Sequence, residues 1–165
     1  MKQQSVVLIG LMGAGKSTVG RLLAERLGVE FIDLDREIEQ AEGRPIAAIF
    51  DAVGEAGFRE IETIALRQLA GRSAAVVATG GGTPVDNDNR QRLAALGRVV
   101  WLDVSTAVAV RRTAGSVRPL LSGDSPAERL EALRSERLPA YAWADLKVNA
   151  DLPAEAVVSE IERQL

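Results

Sequence analysis

The sequence predicts an α/β fold in which a five-stranded parallel sheet lies between two layers of helices. Short runs of Val, Ile, Leu and Ala alternate with segments of helical periodicity along all 165 residues. Such alternation is typical of βαβ units, whose parallel strands are buried on both faces. The length suits one domain that spans residues 1–165. Because only 4% of the residues are aromatic, we expect aliphatic side chains to form most of the core.

The strands are predicted at the short apolar runs, and the helices where apolar residues recur three and four apart, as at Leu22, Leu23 and Leu27. In order, the predicted strands cover residues 5–9, 30–34, 74–79, 98–103 and 146–149. The predicted helices cover residues 16–27, 36–42, 46–53, 58–70, 87–96, 105–113, 126–143 and 153–165. Residues 113–125 are rich in Gly and Ser, and we predict that they are mobile.

The glycine-rich segment between the first strand and the first helix has the pattern G-x-x-x-x-G-K-[ST]. It reads GLMGAGKS over residues 10–17. Following a strand and opening a helix, this pattern indicates a phosphate-binding loop, in which backbone N–H groups and the helix N-terminus face the phosphates. Lys16 is expected to reach the β- and γ-phosphates, and the Ser17 hydroxyl to bind Mg²⁺. The loop predicts nucleotide binding, but it leaves open a kinase, a GTPase or a motor.

Composition excludes several kinds of chemistry. The chain contains no Cys and no His, which excludes disulfides, thiolate catalysis, a histidine base and histidine-ligated zinc. Proton transfer must therefore fall to a carboxylate, to Lys16, to the single Tyr or to the substrate. A net charge of −3 disfavours nucleic acid as a partner. We expect a cytoplasmic protein without a membrane partner, because no apolar stretch spans a bilayer and no signal peptide precedes the first strand.

Two carboxylates, Asp33 and Asp35, end the second predicted strand. Side chains alternate along a strand, so both are expected on one face. Ligands of open α/β sheets bind at the carboxyl ends of the strands, and we therefore expect both carboxylates to point toward the phosphate-binding loop. The alternative interpretation is that Asp35 caps the following helix. The occurrence of two carboxylates together favours a functional role.

Three glycines, Gly80, Gly81 and Gly82, follow the third predicted strand. Consecutive glycines are costly to order, so we expect something to approach this backbone closely; an ordinary flexible loop is the alternative. Arg59 and Glu62 are three residues apart on a predicted helix and are expected to pair.

Two further arginines lie in distinctive surroundings: Arg118 begins the sequence RPLL in the mobile segment, and Arg137 precedes Pro139 and Tyr141 on a late helix. Taken together and in this order, the motifs resemble the shikimate kinase family over nearly the whole chain. The motifs that carry the resemblance are GLMGAGKST at 10–18, D-x-D at 33–35, G-x-x-I-x-x-I-F at 43–50, F-R-x-x-E at 58–62, G-G-G at 80–82, RPLL at 118–121, and Arg137 with Pro139 and Tyr141.

The resemblance implies a P-loop kinase of the nucleoside-monophosphate-kinase fold, with an acceptor-binding region near residues 33–62 and a mobile lid near residues 113–125. It implies transfer of the γ-phosphoryl group of ATP to the 3-hydroxyl of shikimate by a monomer that uses Mg²⁺. The residues implied to hold shikimate are Asp35, Arg59, Gly80, Gly81, Gly82 and Arg137.

The same resemblance implies roles on the nucleotide side. The nucleotide-binding residues would be Gly13, Ala14, Gly15, Lys16, Ser17, Thr18, Arg112, Arg118 and Pro153. Ser17 and Asp33 would lie at the metal, the latter through water. The catalytic residues would be Lys16, Asp35 and Arg118.

Other functions remain open on residue chemistry alone. Two arginines and a D-x-D motif also suit the acceptor of another small-molecule kinase, such as a gluconate kinase. A non-catalytic nucleotide-binding module is the alternative outside the enzymes, although it would be expected to lack Lys16, Asp35 or Arg118. A GTPase is disfavoured because the guanine signature N-K-x-D does not follow the fourth strand. The residues at that place are Asp103-Val104-Ser105. In many phosphate-binding-loop proteins an Asp at the end of an apolar strand, the Walker B motif, lies near the metal. The strand before the triple glycine ends in Thr79 instead, so the carboxylate near the metal is expected to be Asp33.

Overall fold

Five parallel strands form the central sheet in the order β2-β3-β1-β4-β5. The structure is a computed structural model that describes residues 4–115 and 125–165. The strands are β1 (Ser5–Ile9), β2 (Glu30–Asp33), β3 (Ala75–Ala78), β4 (Gly97–Asp103) and β5 (Leu146–Asn149). Each observed strand begins and ends within one residue of its prediction, and the predicted five-stranded parallel sheet is confirmed.

Helices cover both faces of the sheet. They are α1 (Lys16–Leu27), α2 (Leu34–Glu42), α3 (Ile46–Arg67), α4 (Asn87–Leu96), α5 (Thr106–Thr113), α6 (Pro126–Tyr141) and α7 (Ala154–Gln164), with a short 3₁₀ turn at Thr83–Val85. Among the described helices, none combines the length and the apolarity that crossing a membrane requires.

The strand β1 divides the core into two hydrophobic clusters. Leu8 faces a cluster that includes Leu23 of α1 and Val158 of α7, whereas Ile9 faces a cluster that includes Leu66 of α3 and Leu93 of α4. Successive side chains of a strand point to opposite faces, so a fully buried strand supplies both clusters. The predicted three-layer arrangement is therefore confirmed.

The register of the sheet places three strand ends at one edge. Val7 of β1 pairs with Val77 of β3, and Asp33 of β2 pairs with Ala78 of β3. Ligands bind at this edge in open α/β sheets. The phosphate-binding loop, the start of α2 and the triple glycine all follow these strands, so they meet above the sheet.

Residues 46–67 contain the break that the sequence predicted between helices over residues 46–53 and 58–70. Two helical segments within α3 meet at a kink, Gly54 (φ 71°, ψ −178°), so two helices are confirmed, but the break is one residue long and not four. Helical structure resumes beyond this kink because apolar contacts continue across it: the rings of Phe50 and Phe58 have centroids 4.5 Å apart.

Three smaller differences concern element ends. The helix α2 begins at Leu34, so Asp35 lies in its first turn and not at the end of a strand. The 3₁₀ turn after the triple glycine was not predicted, and α6 ends at Tyr141, two residues before the predicted end. Most of the predicted lid, residues 116–124, lies outside the described residues.

Truncating Leu23 tests how far the α1 face of the core stabilises the fold. Leu23 is fully buried, so Leu23→Ala should lower the free energy of unfolding by about 2–5 kcal/mol. The measurement is the denaturant midpoint followed by circular dichroism. Glu25→Ala is the matched control, because Glu25 is exposed on the same helix and should change stability by less than about 0.5 kcal/mol. Equal effects of the two variants would contradict the packing.

Candidate active site

The phosphate-binding loop curls over the end of β1. Gly15, the residue before α1, adopts a left-handed conformation (φ 86°, ψ 21°), which a residue with a side chain adopts only with strain. A Cβ at Gly10 would lie 2.6 Å from the carbonyl oxygen of Leu102, so a side chain would collide with the sheet. The Nζ of Lys16 donates to the carbonyl oxygens of Gly10 at 2.7 Å and Leu11 at 3.0 Å. The ammonium group therefore lies over the loop that would hold the phosphates.

Ser17 and Asp33 meet beside this loop. The Oγ of Ser17 donates to Oδ2 of Asp33 at 2.8 Å. Oδ1 of Asp33 accepts hydrogen bonds from the backbone N–H groups of Asp35 (3.2 Å) and Arg36 (3.4 Å), so Asp33 caps α2. The capping role that the sequence offered as an alternative for Asp35 thus belongs to Asp33.

Most of the predicted site residues line one cavity of about 810 Å³. The cavity extends from the phosphate-binding loop to the triple glycine and α3. The predicted residues that line it are 13–18, Asp33, Asp35, Arg59, 80–82, Arg112 and Arg137. Arg118 lies outside the described residues. Pro153 does not line the cavity, although its neighbours Leu152 and Ala154 do.

Arg112 connects the phosphate-binding loop to the segment after β5. Its Nη1 donates to the carbonyl oxygens of Gly13 at 3.2 Å and Ala150 at 2.8 Å. Arg112 extends from α5, and Pro153 directly precedes α7. Arg112 therefore lies at the end of the cavity that the phosphate-binding loop forms.

Arg59 is held by a fully buried carboxylate. Its Nη1 donates to Oε2 of Glu62 at 2.9 Å, and Glu62 has no exposed surface. Oε1 of Glu62 accepts a hydrogen bond of 2.5 Å from the hydroxyl of Thr83. A Cβ at Gly82 would lie 2.4 Å from Nη2 of Arg59, so the guanidinium packs directly on the glycine backbone. The predicted pairing of Arg59 with Glu62 is confirmed.

Arg137 is a buried cation at the other side of the triple glycine. The residue is only 3% exposed, and its Nη1 has no hydrogen-bond partner among the described residues. A Cβ at Gly81 would lie 2.9 Å from this nitrogen. A buried donor without an acceptor is costly, and a ligand carboxylate in the cavity would supply one.

Two residues of this site had no role assigned from the sequence, Thr83 and Tyr141, although Tyr141 belongs to the motif that begins at Arg137. Thr83 directly follows the triple glycine, and its hydroxyl is fully buried against Glu62. Tyr141 lies one helical turn after Arg137, and its hydroxyl donates to the carbonyl oxygen of Gly81 at 2.6 Å. The signal for both was their adjacency to predicted site residues, but only the tertiary structure gives their partners.

The arrangement suits transfer of a phosphoryl group between two ligands. One end of the cavity offers backbone N–H groups, Lys16 and a hydroxyl–carboxylate pair. The other end offers two guanidinium groups and the carboxylate of Asp35. The first set fits a nucleoside triphosphate, and the second fits a small acid that carries hydroxyl groups. Fold and site together define a P-loop kinase that acts on a small molecule.

Comparisons with known proteins specify the family. The sequence model of the family described as shikimate kinase matches residues 12–165. A shikimate kinase of Chromohalobacter salexigens is 51% identical over 163 residues, which are 97% of this chain and 91% of that protein. A solved shikimate kinase structure from Acinetobacter baumannii in complex with shikimate has a TM-score of 0.95 and 40% identity, and covers 98% of this chain and 92% of that one.

The chain belongs to the shikimate kinase family. It is an ATP-dependent kinase that phosphorylates an alcohol hydroxyl of shikimate, in the biosynthesis of aromatic amino acids. A gluconokinase from Sinorhizobium meliloti has a TM-score of 0.64 at 24% identity and covers 95% of this chain and 88% of that one. At that identity the likeness is one of fold alone.

The single tyrosine of the chain makes the buried end of the site measurable. Burial raises the pKa of Tyr141 from 10.0 to about 12, and the charge of Arg137 partly offsets the rise. The stabilisation linked to this neutral phenol is complete below pH 10 and is lost as the pH rises to about 12. We expect tyrosinate absorbance in the folded protein to appear only as the pH approaches 12. The same protein in denaturant should titrate near pH 10; a native midpoint at that pH would contradict the burial.

Proposed function

We propose that the chain transfers the γ-phosphoryl group of ATP to the 3-hydroxyl of shikimate, with the acceptor held at the arginine end of the cavity. The observation that carries this proposal is the buried Nη1 of Arg137, which lacks a hydrogen-bond partner among the described residues and borders the cavity. A carboxylate is the ligand group that best satisfies such a donor. The shikimate bound in the 40% identical structure supports the same acceptor.

The acceptor carboxylate would be bound between Arg59 and Arg137, whose planar guanidinium groups suit bidentate contacts. Gly80, Gly81 and Gly82 leave room for a small ring beside their backbone. The hydroxyl groups of the ring would then lie toward Asp35 in the first turn of α2, which lines the same cavity.

The nucleotide would occupy the opposite end. Its phosphates would be bound by the backbone of Gly13, Ala14, Gly15 and Thr18 and by Lys16. Arg112 and Pro153 would lie beside the nucleotide base. Arg112 donates to the carbonyl oxygen of Ala150, in the segment between β5 and α7 that also contains Pro153. Arg118 would contact the phosphates from a lid near residues 113–125, most of which lies outside the described residues.

A magnesium ion would be held by Ser17 directly and by Asp33 through water. Their hydroxyl and carboxylate oxygens, 2.8 Å apart, are the ligand types that Mg²⁺ prefers. No group of three or more acidic residues suited to a metal occurs among the described residues, which fits an ion that takes its other ligands from phosphate and water. When bound, the ion neutralises charge on the β- and γ-phosphates.

In the proposed reaction, the acceptor oxygen forms a bond to the γ-phosphorus while the bond from that phosphorus to the bridging oxygen of ADP breaks. Lys16 stabilises the charge that develops on the phosphates, together with Arg118. Asp35 orients the acceptor hydroxyl and takes its proton. Positioning contributes most of the acceleration, because the transition state is loose. Closure of the lid would exclude water and suppress hydrolysis of ATP.

We further propose that the chain acts as a cytoplasmic monomer and as a single domain over residues 1–165, with an acceptor-binding region near residues 33–62. The continuous sheet supports one domain. The absence of His and Cys supports a mechanism that needs neither.

The acceptor is tested by measuring ADP release from Mg-ATP with shikimate, gluconate, AMP or no acceptor. We expect strong stimulation by shikimate alone, with shikimate 3-phosphate as the product identified by NMR. Stimulation by gluconate alone would instead support the kinase alternative. ADP release that no acceptor changes would support a nucleotide-binding module.

The role of Asp35 is tested with Asp35→Asn. We expect kcat to fall by about 10²–10⁴-fold, because the amide neither accepts the proton nor orients the hydroxyl in the same way. The affinity for ATP, measured by calorimetry, should stay within about twofold, since Asp35 lies at the acceptor end. Asp88→Asn is the matched control, because Asp88 is exposed on α4. Wild-type kcat in Asp35→Asn would remove this carboxylate from the mechanism.

A further inference from the structure

Tyr141 is a buried polar residue that the proposed reaction does not use. It is the last residue of α6 and is only 1% exposed. Its hydroxyl donates to the carbonyl oxygen of Gly81 at 2.6 Å. Its ring packs on Trp101 of β4, with centroids 5.8 Å apart. The phenol therefore links the sheet, the end of α6 and the triple glycine.

This link reaches the peptide that faces Arg137. Arg137 precedes Tyr141 by one helical turn, and its Nη1 would lie 2.9 Å from a Cβ at Gly81. Pro139 lies between them inside the helix, and proline donates no backbone hydrogen bond there. The last turn of α6 thus has one internal hydrogen bond fewer, and the contact from Tyr141 to Gly81 helps to fix its position.

The contact also fixes the orientation of one peptide plane. The bond between Gly81 and Gly82 is trans, so the N–H of Gly82 points away from the carbonyl oxygen that Tyr141 binds. Glycine pairs are the residues at which a peptide plane rotates most easily. If this peptide plane rotated, the carbonyl oxygen of Gly81 would move to the side where the N–H of Gly82 now lies. A carboxylate ligand on that side would then be repelled by the oxygen.

We propose that Tyr141 is a positioning residue for the acceptor: its hydroxyl locks the Gly81–Gly82 peptide and thereby keeps the space beside Arg137 suited to a carboxylate. This inference rests on the proposed function, because it assumes that Arg137 binds the acceptor carboxylate. The phenol is a hydrogen-bond donor at neutral pH, because the ordinary pKa of tyrosine already lies well above 7.

The experiment compares wild type with Tyr141→Phe, which keeps the ring and removes the hydroxyl. We expect KM for shikimate to rise about tenfold, the effect of losing one hydrogen bond to a buried group. KM for ATP should stay within about twofold, because the nucleotide end is not involved. With the uncharged methyl ester of shikimate as acceptor, KM should differ between the two proteins by less than about twofold, because the ester presents no carboxylate charge to the peptide.

Trp143→Phe is the matched control. Trp143 lies two residues after Tyr141, and its Nε1 donates to the carbonyl oxygen of Ala140 at 2.6 Å. The side chain of Trp143 does not line the cavity. This control also removes an aromatic hydrogen bond to the backbone, and it should leave KM for shikimate within about twofold of wild type. Unchanged KM for shikimate in Tyr141→Phe would overturn the proposal. Equal rises in KM for shikimate, its ester and ATP would also overturn it, since they would indicate a general loss of packing.

A second measurement does not depend on the folding of the phenylalanine variant. The chain has one tyrosine, so incorporation of 3-fluorotyrosine labels this position alone. We expect the ¹⁹F resonance to shift when shikimate is added to the wild-type sequence and to stay in place when its methyl ester is added. No shift with shikimate, under conditions in which calorimetry detects binding, would overturn the proposal. If wild type neither binds nor phosphorylates shikimate, the proposed function fails, and the role of Tyr141 fails with it.

Discussion

The register of the parallel sheet is the constraint on which the site depends. Asp33 of β2 lies level with Ala78 of β3, and Leu8 of β1 also pairs with Ala78. Three loops with different chemistry therefore leave the sheet at one edge. A shift of one residue in any strand would turn its side chains to the opposite face and separate the loops. The apolar pattern of the buried strands thus fixes the position of the polar residues that follow them.

The end of the cavity that Arg59 and Arg137 line contains buried charges that add little to the stability of the fold. Glu62 is fully buried, yet Arg59 and Thr83 together satisfy both of its oxygens. Such a pair contributes little net stability, because desolvation offsets the attraction, but removal of one partner is costly. Arg137 differs, since its Nη1 lacks a partner among the described residues. We interpret this difference as stability given up for binding, with Glu62 orienting one guanidinium and Arg137 kept for the ligand.

Local patterns predicted much of the fold and part of the site. The phosphate-binding loop was recognisable because its glycines, lysine and serine lie within a few residues of one another. The D-x-D motif was recognised, but its two carboxylates were assigned to one strand face, whereas Asp33 caps α2 and Asp35 lies in the first turn of that helix. The break between two helices was predicted, and it falls at the kink of Gly54. Its shortness was not predicted, because the contact of Phe50 with Phe58 across it is tertiary.

By itself, the sequence determined the succession of strands and helices along the chain and the position of the phosphate-binding loop. Through the resemblance of its motifs, it also indicated the shikimate kinase family. These features depend on residues that are close in the chain or on periodicity along it. Only the tertiary structure decided that Thr83 binds Glu62 and that Tyr141 binds Gly81. The second contact joins residues 60 positions apart, and neither residue belongs to a local pattern that names its partner. The first contact follows from the packing of α3 on the 3₁₀ turn, and the second from the packing of α6 beside the triple glycine.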